Sequence, residues 1–404
     1  MAISPFVLRQ EDNPTKSFLR LLCALLLLAL LPICPSLAED VYTQDMVERS
    51  LTAVGNTERF HHAIDKARSG EDVSIVYLGG SITEGASAQP QATKCYAYLS
   101  AQLFADKFMV SKSQLKYRNA GISGTPSLLG VTRCQQDVLA YKPDIVFVEF
   151  AVNDGSDAQS RLFYESLVRK LVESETQPAV ILIFTLTNEG YSAQTHMQQI
   201  GQHFDLGMIS VRDAIQPQID LGKMKWSDYS ADFAHPSTRG HAFIAELIGH
   251  YFDVAAQTPA EPYIIPEGKK YGAPLANLVN VKPGDAAILS VGAFPHGAVS
   301  CYSYRSGWRH LASEGGADPM VLELTSSHMT IAYKQEPNAR MGRIEVRVDG
   351  KLRTVLNGYS PSAWGNIQTE MIFLGAKKAH TVELTIYEED QGKNFYILDI
   401  GYAP

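Results

Sequence analysis

Ser81, Asp232 and His235 are residues whose types could together perform nucleophilic acyl transfer in this chain of 404 residues. Ser81 follows an apolar run and two glycines at 73–80. It would therefore lie at the carboxyl end of a buried strand, where the ligand crevice of a parallel α/β sheet opens. Asp232 precedes His235 by three residues, so its carboxylate could orient the imidazole. A serine activated by an oriented imidazole can attack an ester carbonyl.

The segment around Ser81 has other interpretations when it is taken alone. It lacks the lysine of a phosphate-binding loop. Thr83 stands where the last glycine of a GxSxG nucleophile turn would be. A serine after two glycines is also common in a purely structural turn, and an Asp-x-x-His pair is common in proteins. The Ser81 segment alone therefore favours a structural turn over a nucleophile.

Two further polar segments also follow predicted strands. Gly124 lies in 119–125, after a plausible strand at 115–118, and its glycines could turn backbone N–H groups toward the crevice. Asn153 follows the apolar strand at 145–150. It could present an amide donor to the same crevice, although an Asn-Asp pair there is also typical of a helix cap or turn.

The four segments taken together resemble the SGNH hydrolase family, also called GDSL-like esterases and lipases. The motif blocks of that family carry Ser, Gly, Asn and His in this order along the chain. Here they correspond to Ser81, Gly124, Asn153 and His235, with Asp232 as the acidic partner of the histidine. Four blocks in the right order are a specific signal, whereas each block alone is weak.

The resemblance covers about 72–252 and has two departures. The family's Gly-Asp-Ser is Gly-Gly-Ser at 79–81, and its Gly-x-Asn-Asp is Ala-Val-Asn-Asp at 151–154. Neither departure changes a catalytic atom. They indicate a subgroup variant and leave the family's usual substrates in question.

The mechanism that the resemblance implies is acyl transfer to water. Ser81 is expected to attack the ester carbonyl, and His235 to take its proton and return it to the leaving alcohol. Asp232 would orient the imidazole and stabilise the imidazolium. The backbone N–H groups of Ser81 and Gly124 and the Asn153 amide would form the oxyanion hole. No metal or organic cofactor is required.

The pattern of apolar runs predicts the elements that position these residues. Continuous apolar strands alternate with helical stretches, which is typical of a parallel sheet covered on both faces. The strands are predicted at 73–78, 145–150, 180–184 and, more weakly, 208–211; the helices at 96–108, 128–141, 161–173 and 238–256. With the resemblance, this indicates an α/β domain with a flavodoxin-like three-layer αβα parallel sheet, the SGNH hydrolase fold.

The pattern changes near residue 258. Prolines and glycines crowd 259–274, which is typical of a linker. Beyond it, apolar and polar residues alternate at 343–349 and 381–386, and Asp349-Gly350 is a hairpin signal. Short half-buried strands predict an all-β sandwich. The expected domains are therefore 39–258 for the hydrolase and 259–404 for the linker and β-sandwich.

The N-terminus has the pattern of a secretory signal peptide over residues 1–38. Basic residues precede an apolar run at 21–33, and Ser-Leu-Ala at 36–38 offers small residues for cleavage before Glu39. We therefore expect a secreted, periplasmic or extracellular protein. The run is short for a membrane span, which needs about 20 apolar residues. An uncleaved anchor is the alternative.

Three cysteines remain after such cleavage: Cys95, Cys134 and Cys301. An odd number leaves at least one without a partner in the chain. Cys95 and Cys134 fall in two helical stretches of the predicted hydrolase domain. We expect them to form a disulfide, with two buried thiols as the alternative.

Charge and motifs exclude several classes of function. The formal net charge is −8 and the sequence has no run rich in Lys and Arg, so we expect no nucleic-acid partner and no adhesion to an anionic membrane. Nothing after the N-terminus is long and apolar enough for stable membrane insertion. No CxxC, HExxH or tight His/Asp cluster is present, so a structural metal site is improbable.

The expected substrate is an acylated carbohydrate or another small ester. Aromatic residues of the predicted β-sandwich could stack on sugars, although each could equally serve core packing. They are Tyr302, Tyr304, Trp308, Tyr359 and Trp364. Segments 348–350 and 359–365 resemble those of bacterial SGNH proteins with an appended β-domain, many of which deacetylate polysaccharides. The favoured function is thus a carbohydrate esterase removing O-acyl, above all O-acetyl, groups. The alternatives are a polysaccharide O-acyltransferase, a lipid esterase and a non-catalytic glycan-binding protein.

Overall fold

The structure is a computed structural model and describes residue 1 and residues 41–404. The predicted signal peptide and its cleavage point lie outside the described residues. Residues Tyr42–Pro404 form one compact unit. Within the described part of the chain, no helix combines the length and the apolar character that a membrane span requires.

Six strands form the first sheet, in the spatial order β1-β6-β5-β4-β2-β3. They are β1 (Leu51–Ala53), β2 (Val73–Gly79), β3 (Leu115–Gly121), β4 (Ile145–Glu149), β5 (Ala179–Phe184) and β6 (Gly207–Ser210). All pairs are parallel except β1 with β6. Every residue of β2, β4 and β5 is buried, as their unbroken apolar runs predict. The chain leaves β2 toward β3 and returns on the other side at β4, so the order reverses there.

Eleven helices are described in the part of the chain from residue 41 onward. They are α1 (Gln44–Ser50), α2 (Glu58–Ser69), α3 (Ser81–Glu84), α4 (Gln91–Lys94), α5 (Tyr96–Phe108), α6 (Ser127–Asp137), α7 (Ala158–Val172), α8 (Gln194–His203), α9 (Val211–Asp220), α10 (Trp226–Tyr229) and α11 (Thr238–Gln257). Short 3₁₀ turns occur at Lys112–Gln114, Leu139–Tyr141 and Glu388–Asp390. The helix predicted at 128–141 therefore ends at Asp137, and a 3₁₀ turn follows it.

Helices cover both faces of the first sheet. Side chains alternate between the faces along a strand. On one face, Tyr77 stacks on Phe147, which contacts Phe252 of α11. On the other face, Val76 and Val146 lie in the apolar cluster that includes α6, α7 and α8. This three-layer α/β arrangement confirms the predicted fold class.

The second sheet contains only antiparallel pairs between its strands. Its strands are β7 (Val279–Asn280), β8 (Ile288–Ser290), β9 (His296–Cys301), β10 (Tyr304–His310), β11 (Met320–Gln335), β12 (Arg343–Val348), β13 (Lys351–Asn357), β14 (Asn366–Ile386) and β15 (Phe395–Tyr402). The register of β11 and β14 shifts between Ser326 and His328, where both long strands bend. The strands of this second sheet together build a β-sandwich around one apolar core, as predicted.

The hairpin between β12 and β13 follows its sequence signals. Ile344, Val346 and Val348 are buried and alternate with less buried neighbours. Asp349 and Gly350 have φ values of +50° and +74°. Positive φ at both turn residues is the geometry that Asp-Gly favours in a two-residue hairpin.

The segment between α11 and β7 packs against the α/β part without helix or strand from 258 to 278, and Leu275 and Leu278 enter its apolar core. The Glu165 carboxylate of α7 accepts hydrogen bonds from the backbone N–H groups of Lys270, Tyr271 and Gly272 at 2.6–2.9 Å. This fixes the proline- and glycine-rich segment against the helix. The exact division of the chain into domains at residue 258 stays a prediction.

The expected disulfide between Cys95 and Cys134 is wrong. All three cysteines in residues 41–404 are free and buried. Cys95 immediately precedes α5, which packs with α11 on one face of the sheet, whereas Cys134 lies in α6 on the other face. The sheet therefore separates the two thiols. Burial raises the pKa of Cys134 to about 12, so its thiol is protonated and unreactive at neutral pH.

Candidate active site

The predicted site residues come from loops at the carboxyl ends of neighbouring strands. Ser81 follows β2 and opens α3, Gly124 follows β3, and Asn153 follows β4. His235 lies in the loop just before α11. Because parallel strands end at the same sheet edge, the order reversal at β2 and β4 opens a crevice that these loops line.

Ser81, His235 and Asp232 form a continuous hydrogen-bonded chain. His235 Nε2 lies 2.8 Å from Ser81 Oγ, and His235 Nδ1 lies 2.9 Å from Asp232 Oδ2. Ser81 is buried, with 8% of its surface exposed, while the side chains of His235 and Asp232 are 32% and 46% exposed. The site is thus open to solvent on the side of the imidazole and closed beneath the serine.

The carboxylate of Asp232 is held in place by the backbone of its own loop. Its Oδ1 accepts the backbone N–H groups of Ala234 at 2.9 Å and His235 at 2.7 Å. Partial burial would raise the pKa of Asp232, but these hydrogen bonds and the imidazole outweigh it and leave the pKa below its ordinary value. Oδ2 therefore faces the imidazole as an ionised oxygen.

Hydrogen bonds from neighbouring side chains hold the loop that carries His235. Ser230 Oγ donates to the His235 carbonyl at 2.5 Å, and Trp226 Nε1 donates to the Asp232 carbonyl at 2.6 Å. Ser237 caps α11 by accepting the N–H of Gly240. These contacts determine the distance between the histidine and the serine.

The turn that carries Ser81 is tied to the loop that carries Gly124. The Glu84 carboxylate accepts hydrogen bonds from Ser123 N at 2.8 Å and from Ser123 Oγ at 2.5 Å. A Cβ at Gly121 would collide with the Glu84 backbone, so the close approach of the two loops needs a glycine there. Glu84 could not be recognised from the sequence, because its partner Ser123 lies 39 residues away.

Asn153 lies beside the residue that precedes Ser81. A Cβ at Gly80 would collide with the Asn153 side chain, whose Oδ1 is buried without a hydrogen-bond partner in the described residues. A side chain in place of Gly80, where the family pattern has aspartate, would therefore meet the Asn153 side chain, and one of the two would have to shift. Asp154 follows Asn153 in the motif Ala-Val-Asn-Asp at 151–154. It accepts a hydrogen bond from the backbone N–H of Ser127 at 2.8 Å, which holds the start of α6.

Two carboxyl groups are fully buried beneath the crevice. Burial raises the pKa of Glu149, at the end of β4, to about 7, although Thr185 and Thr83 donate hydrogen bonds to it at 2.6 and 3.3 Å. Burial also raises the pKa of Asp154 to about 7, against the effect of its hydrogen bonds from Ser127. Glu149 is the one charged residue of its apolar strand, and the sequence analysis assigned it no role.

The β-sandwich contributes to the rim of the crevice. Tyr304 and Trp308, two of the candidate sugar-stacking residues, are buried and pack in cores. Trp364 is 60% exposed, lies against Gly124, and donates its Nε1–H to Tyr302 Oη at 3.3 Å. An open groove of about 460 Å³ continues from this pair along the β-sandwich, with Tyr302 and Trp364 in its wall.

The charged residues of this groove are Lys334 and Glu336. They form an ion pair at 2.5 Å. Across residues 41–404, no group of three or more His, Cys, Asp or Glu side chains is arranged to bind a metal ion. The crevice is thus built from a serine, a histidine, carboxylates, amides and aromatic rings.

Comparison with known proteins decides the family of this crevice. Residues 77–243, which contain all five predicted site residues, match the model of the GDSL-like lipase/acylhydrolase family. Over these residues the chain is similar to that family. The resemblance noted in the sequence is confirmed, and it supports a carboxylic ester hydrolase. A comparison with curated protein sequences found no match.

Two solved structures resemble this chain over most of its length. One is a two-domain esterase (CEX) active on acetylated mannans, co-crystallized with mannopentaose, with 27% sequence identity and a TM-score of 0.77 over 88% of this chain and 97% of that chain. The other is described as a two-domain esterase (CEX) active on acetylated mannans, with 28% identity and a TM-score of 0.76 over 88% and 98% of the two chains. The likeness extends through the β-sandwich.

Proposed function

We propose that this protein hydrolyses O-acyl esters, above all O-acetyl esters, on a carbohydrate or polysaccharide. The observation that carries the chemistry is the hydrogen-bonded chain from Ser81 through His235 to Asp232. A hydroxyl 2.8 Å from an imidazole nitrogen, with a carboxylate on the other nitrogen, fits nucleophilic attack on a carbonyl.

In this proposal the five site residues divide the steps of ester hydrolysis among them. Ser81 Oγ attacks the carbonyl carbon while His235 Nε2 takes its proton, and His235 then protonates the leaving sugar hydroxyl. Asp232 orients the imidazole and stabilises its charged form. The backbone N–H groups of Ser81 and Gly124 and the Asn153 amide donate to the oxyanion. Water then releases the acyl group from Ser81 by the same steps.

Two observations support a carbohydrate as the carrier of the acyl group. Trp364 exposes most of its indole beside the loop that would bind the oxyanion, and Tyr302 fixes that indole by a hydrogen bond. A flat exposed ring with polar neighbours suits the apolar face of a pyranose. The similar two-domain esterase acts on acetylated mannans. We assign the hydrolase to 39–258, the linker and β-sandwich to 259–404, and propose export through the signal peptide 1–38.

The chemistry is tested by acetate release from acetylated polysaccharides and from 4-nitrophenyl acetate. Ser81→Ala should abolish both activities, while the control Ser113→Ala, at an exposed surface position, should retain them. Acetate release by Ser81→Ala at the wild-type rate would overturn the proposal. Transfer of the acyl group to an added acceptor glycan, in preference to water, would identify an acyltransferase with the same site.

The carbohydrate is tested separately at Trp364. Trp364→Ala should raise KM for an acetylated polysaccharide by about tenfold, the usual value of one stacked ring, and leave KM for 4-nitrophenyl acetate unchanged. Tyr359→Ala is the matched control, since Tyr359 is an aromatic residue of the same β-sandwich with 38% exposure. An unchanged KM on every polysaccharide tested would refute the stacking role, and a preference for long-chain lipid esters would point to a lipid esterase.

A further inference from the structure

Arg133 is a fully buried charged residue whose guanidinium reaches the strand that carries the nucleophile. It lies in α6 and has no exposed surface. Its Nη2 donates to the carbonyl of Gly79 at 3.2 Å, and its Nη1 lies 3.2 Å from Asp137 Oδ2. Burying a charge costs several kcal/mol unless it is paired and hydrogen-bonded. The burial of this charge beside the strand that carries Ser81 suggests that Arg133 has a function in the site.

The Gly79 carbonyl joins the end of β2 to α6 and to the loop that leads to Gly124. Gly79 ends β2, two residues before Ser81. Besides Arg133, its oxygen accepts the backbone N–H of Ile122 at 3.1 Å, in the loop that leads to Gly124. The next carbonyl, of Gly80, already accepts the first hydrogen bond of α3. The orientation of the Gly79 peptide therefore sets the direction in which the chain leaves the strand toward Ser81.

The β-sandwich reaches this junction through the counter-ion of Arg133. Ser303 Oγ donates at 3.1 Å to Asp137 Oδ2, the same oxygen that faces the arginine. Ser303 lies in the tight turn between β9 and β10, next to Tyr302. A polar chain thus runs from Ser303 through Asp137 and Arg133 to Gly79. Apolar contacts also join the two parts here, because Ile122 lies in the same cluster as residues of the β-sandwich.

We propose that Arg133 is a positioning residue for the Ser81 turn and that Ser303 of the β-sandwich fixes it through Asp137. The β-sandwich then helps to position the nucleophile Ser81, in addition to any contact that it makes with the substrate. This inference rests on the proposed role of Ser81. A planar guanidinium can satisfy the Gly79 carbonyl and the Asp137 carboxylate together, whereas a lysine ammonium is a point charge on a flexible stem.

The experiment uses the full chain and two readouts. The first is kcat and KM on 4-nitrophenyl acetate, a substrate too small to need the groove beside Trp364. The second is the rate at which a sulfonyl fluoride modifies Ser81, which measures the reactivity of the nucleophile without any glycan. Thermal unfolding is recorded for each variant.

Ser303→Ala should lower kcat and the rate of modification by about tenfold, the loss expected for a hydrogen bond to a charged group, with KM unchanged. Arg133→Lys should lower both by up to about 10²-fold, the effect of a misplaced reacting group. The double variant should lose less than the product of the two single losses, because both residues act along one chain.

Asn280→Ala is the matched control. Asn280 also joins the β-sandwich to α6, since its Nδ2 donates to the Thr132 carbonyl and to Asp399, but the described contacts of this side chain do not include Gly79. We expect it to lower the unfolding temperature while kcat stays near wild type. A loss of kcat equal to that of Ser303→Ala would show general loosening of the interface and overturn the inference.

The two proposals fail in different ways. If the sulfonyl fluoride does not modify Ser81 in the wild-type enzyme, the proposed function is wrong. If it modifies Ser81 in the wild type and in Ser303→Ala at the same rate, the proposed function stands and the link through Asp137 is wrong. If Arg133→Lys does not fold, Ser303→Ala alone still decides the outcome.

Discussion

The indole of Trp364 lies directly on Gly124, so that a Cβ added to this glycine would be 2.8 Å from Cζ2 of the tryptophan. Trp364 belongs to the segment between β13 and β14 of the β-sandwich, and Gly124 to the loop after β3. Gly124 also has a φ of +70°, which L-residues rarely adopt. Two independent constraints, one local and one from the β-sandwich, thus require glycine at this position.

These two constraints can be separated by a pair of substitutions. Gly124→Ala should lower kcat on 4-nitrophenyl acetate, because both the backbone strain and the contact with Trp364 displace the loop. In the Gly124→Ala/Trp364→Ala variant, only the strain of about 1–2 kcal/mol remains, so kcat should partly recover. The comparison is with Trp364→Ala alone, and a double variant no more active than Gly124→Ala would exclude the steric contact.

The elements that carry the site could be predicted from the sequence because their signals are local. The buried strands β2, β4 and β5 are continuous apolar runs, and their ends coincide with glycines or polar residues. The alternation at 343–349 identified the β-sandwich for the same reason. Hydrophobic period and turn chemistry act over a few residues, so one sequence suffices to read them.

The contacts that position the site could not be predicted, because they join distant residues of different types. Ser123 meets Glu84 across 39 residues, and Arg133 meets the Gly79 carbonyl across 54. A carbonyl as an acceptor leaves no trace in the sequence. The mistaken disulfide has a related cause: the helices at Cys95 and Cys134 are consecutive along the chain but cover opposite faces of the sheet.

Ser81 and His235 are expected to act as one unit. Ser81→Ala and His235→Ala should each lower kcat by several orders of magnitude, and the double variant should lose little more, because neither group works without the other. The measurement is kcat for the three variants on 4-nitrophenyl acetate, with circular dichroism as the control for folding. Multiplicative losses, or near-wild-type turnover by Ser81→Ala, would contradict the assignment.

Asp232→Asn tests the orientation of the imidazole. The asparagine can keep its oxygen on the backbone N–H groups of Ala234 and His235, which now bond Oδ1. Its NH₂ would then face His235 Nδ1, which must accept, and the ring proton would move to the nitrogen that faces Ser81. With this wrong tautomer we expect kcat to fall by up to about 10⁴-fold.

The control for this change is Asp228→Asn in the same loop region, which should retain activity. The Asp228 carboxylate accepts a hydrogen bond from the backbone N–H of Lys225 in the turn that opens α10. Wild-type kcat in Asp232→Asn would show that another group orients His235.

Asn153 is tested by its effect on kcat rather than on KM. Asn153→Ala should lower kcat by about 10²–10³ with a small change in KM, since an oxyanion donor acts mainly in the transition state. The side chain lies beside Gly80, so its removal also opens a space there. Asn153→Asp keeps the shape and removes the donor, and it should be as inactive as the alanine variant. A raised KM with kcat unchanged would instead indicate a contact with the substrate.

Glu149 predicts how the stability of the protein depends on pH. Its pKa rises from an ordinary value of 4.5 to about 7 because the folded chain buries it completely. Below pH 4.5 the folded and unfolded states both hold the proton, so Glu149 contributes no pH dependence there. Between pH 4.5 and 7 the unfolded chain releases the proton and the folded chain keeps it. Glu149 therefore contributes a fall in the free energy of unfolding as the pH rises through this window, and this contribution levels off above it.

Glu149→Gln should remove the contribution of this carboxyl to that slope. The amide oxygen can still accept from Thr185, and the amide nitrogen can donate to Thr83, whose hydroxyl also lies 2.7 Å from Tyr96 Oη. The measurement is urea unfolding of both proteins at pH 5, 6, 7 and 8. Burial also raises the pKa of Asp154 and Asp399 to about 7 but lowers that of His196 and His241 to about 4, so the total slope combines opposite contributions. The difference in unfolding free energy, wild type minus variant, should therefore fall from pH 5 to 7 and then level off. Parallel curves for variant and wild type would show that Glu149 is already ionised in the folded protein throughout this range.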